Sequence, residues 1–186
     1  MFYRDLSCYR DGDGEEIVDV FPSVKNIGWL GVESEYSKGI VREDLIQKLR
    51  EITFLDLKND EDIKTGNYEK EKSINVHCMH VRGSPYSCPF SQASIEYNPS
   101  GLGLYKGNST MKAGVNEICI PSLKSGEFYS FPTLLLHYIT EHGYCPPQGF
   151  LDALDAFDLS VPYDIDSKQG DLEIVEVDRT DMDKYN

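Results

Sequence analysis

The sequence predicts an α+β fold in a single domain, an antiparallel sheet with about three helices packed on it. Three observations lead there. Residues 41–52 and 132–157 repeat apolar side chains at helical spacing. Between them run short segments rich in β-branched and aromatic residues, separated by Gly, Pro, Asn and Ser clusters. A chain of 186 residues with 40% hydrophobic content carries enough apolar surface for one sizeable core.

Taken in order, residues 1–40 are turn-rich. Asp11-Gly12 and Asp13-Gly14 precede IVDVF and Pro22, and the apolar knot Ile27-Gly28-Trp29-Leu30-Gly31 follows. The single tryptophan, flanked by glycines that let backbone pass close to the indole, reads as a core anchor. Val41, Leu45, Ile46, Leu49 and Ile52 mark one face of an amphipathic helix whose first turn carries Glu43 and Asp44, where the helix dipole favours acids. Residues 56–73 are charged with few apolar anchors and read as an exposed loop. Strands are expected at Ile74 to Val81, ASIEY, NEICI and EFYSF, joined as an antiparallel sheet or meander.

The stretch FPTLLLHYITEHGYCPPQGF, residues 131–150, holds two helix starts and a stop. Leu134, Leu135, Tyr138 and Ile139 recur at helical spacing after Pro132, which suits a first turn, and Gly143 is a natural left-handed cap. Pro146-Pro147 forbids continuation and opens a second helix, whose buried face is Phe150, Leu151, Leu154 and Phe157. The domain is expected to span residues 1–157. Residues 158–186 form an acidic C-terminal extension in which the alternation of LEIVEV, residues 172–177, suits an edge strand, followed by a polar end that frays.

The net charge is −14, from 32 acidic and 18 basic residues. That balance argues against surfaces that neutralise phosphate backbones or anionic lipid, so no nucleic acid and no membrane is expected as partner. The chain lacks a long apolar run and an apolar leader after its charged first residues, which suggests a cytoplasmic protein. Residues 151–186 alone hold eleven acids against three bases, and a basic protein is the partner that this favours. Cys8, Cys78, Cys88, Cys119 and Cys145 are odd in number and scattered, as reduced thiols would be. Cys119 belongs in a core strand, and Cys8 and Cys145 in loop-like surroundings.

Four histidines among these thiols invite a zinc hypothesis. In a strand, Cys78 and His80 share a face and His77 takes the other. His137 and His142 stand about 140° apart on a continuous helix and converge only where the helix ends between them. For nucleophilic catalysis the candidates are Cys88 or Cys145 with His137 or His142, since a thiol needs a base beside it. Gly101-Leu102-Gly103 with Gly107 lacks the Lys-Ser/Thr of a phosphate loop and reads as a turn. Asn108-Ser109-Thr110 is a glycosylation acceptor only in a secreted chain.

Several fragments resemble an uncharacterised bacterial family, a domain of unknown function. They are Asp5 to Tyr9, the NIGWLG segment Asn26 to Gly31, Gly39, Arg82-Gly83, Cys88-Pro89-Phe90-Ser91, Asn116-Glu117-Ile118 and residues 131–150, with G-W-L and H-Y-x-x-x-H-x-Y-x-P-P the most specific. The resemblance covers about residues 1–157. It implies H-x-C-x-x-C where this chain has Tyr86-Ser87-Cys88-Pro89-Phe90-Ser91, so that of a zinc-type set only Cys88, His137 and His142 survive. A closed tetrahedral site needs four ligands, and the expectation is that no metal or other cofactor is tightly held, with Cys145 the one conceivable replacement ligand.

The resemblance brings no established activity. Acidity and the lack of a coherent catalytic set point to a protein-binding module that is not an enzyme, most plausibly an immunity protein neutralising a cognate bacterial toxin with a basic or nucleotide-binding cleft. Its contacts are expected among Glu33, Glu35, Asp164, Asp166, Asp171 and Glu173. The alternative is a metal-dependent or cysteine-based enzyme built on Cys88, His137 and His142.

Overall fold

A computed structural model describes residues 2–12, 15–55, 58–59, 62, 65–67, 69, 72–77, 87–98, 110–114 and 116–185. The architecture is α+β. Strands β1 (Cys8–Asp11), β2 (Ile17–Asn26), β6 (Glu117–Pro121) and β7 (Phe128–Pro132) lie in the order β1-β2-β7-β6, with β9 (Val175–Asp178) also paired to β2. Two-residue strands form separate pairs: β3 (Ile74–Asn75) with β8 (Tyr163–Asp164), and β4 (Glu96–Tyr97) with β5 (Met111–Lys112). The α-helices with described bounds are α1 (Glu43–Thr53), α2 (Leu135–His142), α3 (Gln148–Ala156) and α4 (Asp166–Gln169), four among the described residues where about three were expected. A 3₁₀ helix over Arg179–Tyr185 closes the chain, with Met182 buried, where a frayed end was expected.

The sheet is mixed, not purely antiparallel. Its central strand β2 runs parallel to β7, with Val24, Lys25 and Asn26 opposite Phe128, Tyr129 and Ser130, and antiparallel to β1 and β9. Residues 17–26 contain Pro22, which has no N–H to give a ladder. That residue falls in a gap on both sides. On one side β9 pairs residues 17–20 and β7 pairs 24–26; on the other the register with β1 jumps from Tyr9↔Phe21 to Cys8↔Lys25. Cys8 is therefore in a strand and not in a loop. The expected edge strand at 172–177 starts three residues later and ends one residue later, as β9.

Alternation along the strands divides the core. Ile118 and Ile120 of β6 and Tyr129 and Phe131 of β7 face α1, α2 and α3, whereas Cys119 and Phe128 face the other way, with Tyr9, Val24 and Ile165. The helical face is built as its spacing implies. Leu45, Leu49 and Ile52 of α1, Leu135, Tyr138 and Ile139 of α2, and Phe150, Leu151 and Leu154 of α3 are all buried. Phe150 meets Tyr129 and Phe131 edge to face, at centroid separations of 5.7 and 5.2 Å. Lys48 of α1 donates to the carbonyls of Asp155 (2.5 Å) and Phe157 (3.1 Å), satisfying acceptors at the end of α3.

Of the other expected elements, the strand at 74–81 shortens to β3, and residues 78–81 lie outside the described residues. Within 56–73, Lys58, Asn59, Asp62 and Thr65 have helical backbone, so that segment is not simply a loop. Pro132 ends β7 instead of opening α2. Gly101, Gly103, Gly107, Asn108 and Ser109 lie outside the described residues, as do Arg82 and Gly83.

Candidate metal centre

Helix α2 supplies two side chains of the site, and its ends are fixed by neighbours. Gly28 sits at φ +68°, and a Cβ there would come within 2.5 Å of Leu135 Cδ1, so the Ile27–Leu30 knot and the start of α2 touch through the missing side chain. Tyr97 Oη donates to the Thr133 carbonyl (3.3 Å) and accepts from the His137 amide (3.2 Å), engaging an N–H of the first turn that the helix itself leaves free. The last helical residue is His142. Gly143 then adopts the left-handed conformation at φ 65°, and the Tyr144 amide reaches back to the Tyr138 carbonyl at 3.1 Å. The chain beyond is strapped to residues 37–39, the Gly39 amide bonding to the Gly143 carbonyl and the Cys145 amide to the Ser37 carbonyl.

Cys88 arrives from a different part of the chain on a tight turn. Its amide donates to the Ala93 carbonyl (2.9 Å) and its carbonyl accepts from the Gln92 amide (2.8 Å), with Gln92 at φ 55°. Inside this turn Phe90 packs against the His142 ring at 4.8 Å and against Tyr36 and Tyr138.

The result is a three-donor cluster. Cys88 Sγ lies 3.1 Å from His142 Nε2, which lies 3.2 Å from His137 Nε2, and the ligand atoms of the three residues are all within 4.8 Å of one another. Cys88 is fully buried and both histidines are half-buried. The His137 imidazole is held below its ordinary value, first because burial penalises imidazolium and then because His142 stands beside it. That leaves His137 neutral, the form that ligates metals.

The two histidines therefore converge, with ring centroids 5.0 Å apart, although both lie within the helix, so the helix need not end between them as expected. Cys145 does not join them: its Sγ is 3.8 Å from the Pro146 carbonyl and abuts Gly39, where an added Cβ would meet Cys145 at 3.1 Å. His77 is bridged through its backbone to Ile118 and is likewise outside the cluster. Cys78, His80 and Tyr86 lie outside the described residues. Ser91 is exposed on the turn, its Oγ accepting from the Ala93 amide at 3.4 Å.

The acids expected to bind a partner are scattered over three segments. Glu33 and Glu35 are exposed on a turn held by Ser34, whose Oγ accepts from the Gly31 amide at 2.8 Å. Asp164 is half-buried and shares the Asn75 side-chain amide with Asp166, at 2.9 and 3.0 Å, so both help tie β8 and α4 to β3. Asp171 and Glu173 are exposed beyond α4.

Asp5 has a structural part that sequence reasoning missed. Its carboxylate accepts from the Gly28 amide (2.8 Å) and from Tyr144 Oη (2.7 Å), joining three separate segments behind the cluster. Burial pushes this carboxyl up, and the two hydrogen bonds pull it back. Tyr97 and Phe90, which position His137 and His142, were missed as well, since nothing local in the sequence relates them to α2.

No helix among the described residues is long and apolar enough to cross a membrane. No curated protein and no solved structure matches the chain. A family model described as a domain of unknown function, DUF7919, matches residues 1–155. With five-sixths of its length under that model, the chain belongs to the DUF7919 family.

Proposed function

We propose that this domain binds a zinc-type transition metal through Cys88, His137 and His142, and that the metal pins the turn of residues 87–94 to helix α2. The observation that carries the reading is the convergence of one sulfur and two imidazole nitrogens from segments about fifty residues apart. With bonds of about 2.3 Å to sulfur and 2.0 Å to nitrogen, a tetrahedral ion spaces its ligands by about 3.3 to 3.6 Å. The separations of 3.1 and 3.2 Å lie slightly below that spacing, and the remaining pair of ligand atoms is no more than 4.8 Å apart. A single cation can be held by one sulfur and two imidazole nitrogens gathered this closely. Burial of Cys88 favours this role over nucleophilic catalysis, because a nucleophile must be reached by its substrate.

Cobalt(II) titration of the purified protein tests the proposal. A thiolate-to-cobalt band in the near ultraviolet, saturating at one equivalent and lost in Cys88→Ser, is expected, together with a rise in thermal midpoint that follows metal concentration. Absence of the band, with an unchanged midpoint, would refute it.

A second reading concerns the surface. Glu33, Glu35, Asp171 and Glu173 are exposed and form no ion pair among the described residues, which supports an acidic interaction module, such as an immunity protein, that meets a basic toxin. A stoichiometric basic partner that co-purifies at low salt and is released by salt is the expected result. Failure of every neighbouring gene product to bind would count against it.

A further inference from the structure

A different pair of reactive groups lies on the far strand of the sheet. Cys8 of β1 and Lys25 of β2 are directly opposite in register, at the point where the β1–β2 pairing jumps. The Lys25 Nζ lies 3.2 Å from Cys8 Sγ. In a chain with 32 carboxylates against 18 cationic side chains, this ammonium has no carboxylate partner among the described residues and faces a thiol instead. Both residues are half-buried, so small oxidants reach them while the strands hold them in place.

We propose that Cys8 and Lys25 are a modification site at which peroxide forms a covalent Nζ–O–Sγ bridge between β1 and β2. The thiol first attacks one peroxide, forming the sulfenic acid and water. Lys25 gives a proton to solvent, a second peroxide hydroxylates the resulting amine, again releasing water, and condensation of the S–OH with the N–OH expels a third water. In sum, one thiol, one amine and two peroxides give the bridge and three waters, with four electrons passing from sulfur and nitrogen to oxygen. One oxygen atom fits between groups already this close with little strand movement. A direct S–N bond, by contrast, would require the two atoms to come within bonding distance. The proposal does not depend on the metal reading, because neither residue belongs to the Cys88 cluster.

The test uses the full chain treated with hydrogen peroxide and digested without reductant. The expected product is a cross-linked pair of peptides containing Cys8 and Lys25, heavier than their sum by about 14 Da, with tryptic cleavage after Lys25 lost and restored by dithiothreitol. Lys25→Arg keeps the cation and is expected to abolish the bridge, as is Cys8→Ser. Recovery of Cys8 only as sulfenic or sulfinic acid, as a disulfide, joined directly to nitrogen, or bridged to another lysine would overturn the proposal.

Discussion

Replacing Gly28 by alanine isolates the contact between the Trp29 knot and the helix that carries both histidines. Two costs add. At φ +68° an L-residue is in the left-handed region, which costs roughly 1–2 kcal/mol. The new methyl would also sit 2.5 Å from Leu135 Cδ1, in a core where overpacking costs about 1–3 kcal/mol. The sum is about 2–5 kcal/mol, and the two parts are separable with an internal control. Gly126, in the turn between β6 and β7, has φ +79° with no atom within 4 Å of an added Cβ, so Gly126→Ala reports the backbone cost alone. Leu135→Ala removes the atom that the methyl meets and by itself is expected to cost about 2–5 kcal/mol. In the double variant Gly28→Ala/Leu135→Ala the methyl occupies space the leucine has left. Its loss should fall short of the sum of the two singles by about 1 kcal/mol or more. Urea unfolding followed by Trp29, the one tryptophan and 3% exposed, measures all four proteins. Strict additivity, or a Gly28→Ala loss no larger than that of Gly126→Ala, would show that the two segments do not press on each other as described.

Three other outcomes are expected. Asp5 has its carboxyl raised above its ordinary 3.8, so the native state keeps a proton that the unfolded chain has released; this stabilising contribution is complete below 3.8 and is lost as pH rises through the folded midpoint. Tyr144→Phe removes a hydrogen bond that lowers that midpoint, and carboxyl-detected NMR titration should find Asp5 titrating higher still; a downward move would refute the assignment. Phe150→Ala, which removes a fully buried ring held between Tyr129 and Phe131, should cost about 3–5 kcal/mol in urea unfolding, against less than 1 kcal/mol if the site collapses or was never packed. Arg42→Ala should leave the urea midpoint close to that of the unsubstituted protein, because its pairs with Asp44 and Asp155 are in solvent, and high salt should erase even a small difference.

The helices were legible because their signals are local. Gly143 and the Pro146-Pro147 pair delimit α2 and α3, and the apolar spacing of 41–52 names Leu45, Leu49 and Ile52 of the buried face of α1, with Ile46 half-buried beside them. The central strand was not legible. With Pro22 in its middle and Asp19, Ser23 and Lys25 along it, residues 17–26 read as turn and fragment, and only the staggered partners β9, β7 and β1 make the proline harmless. Its parallel pairing with β7 joins segments about a hundred residues apart, which no periodicity reveals. At the site, the sequence named Cys88, His137 and His142 as candidates but gave no reason for them to meet. Helical geometry set His137 and His142 apart, yet their rings stand 5.0 Å from each other with Phe90 packed against His142. Cys88 reaches them only through tertiary packing.

The position of β9 bears on how the chain is made. Val18 and Val20 on the first half of β2 are covered by Val177 and Met182, which are synthesised much later than β2. During synthesis that half of the central strand lacks these partners until β9 and the segment after it have emerged. The helices α1, α2 and α3 that build the main core all precede β9 in the chain. A chain halted before β9 therefore presents an unfinished sheet edge at β2, the kind of edge on which newly made chains pair with one another.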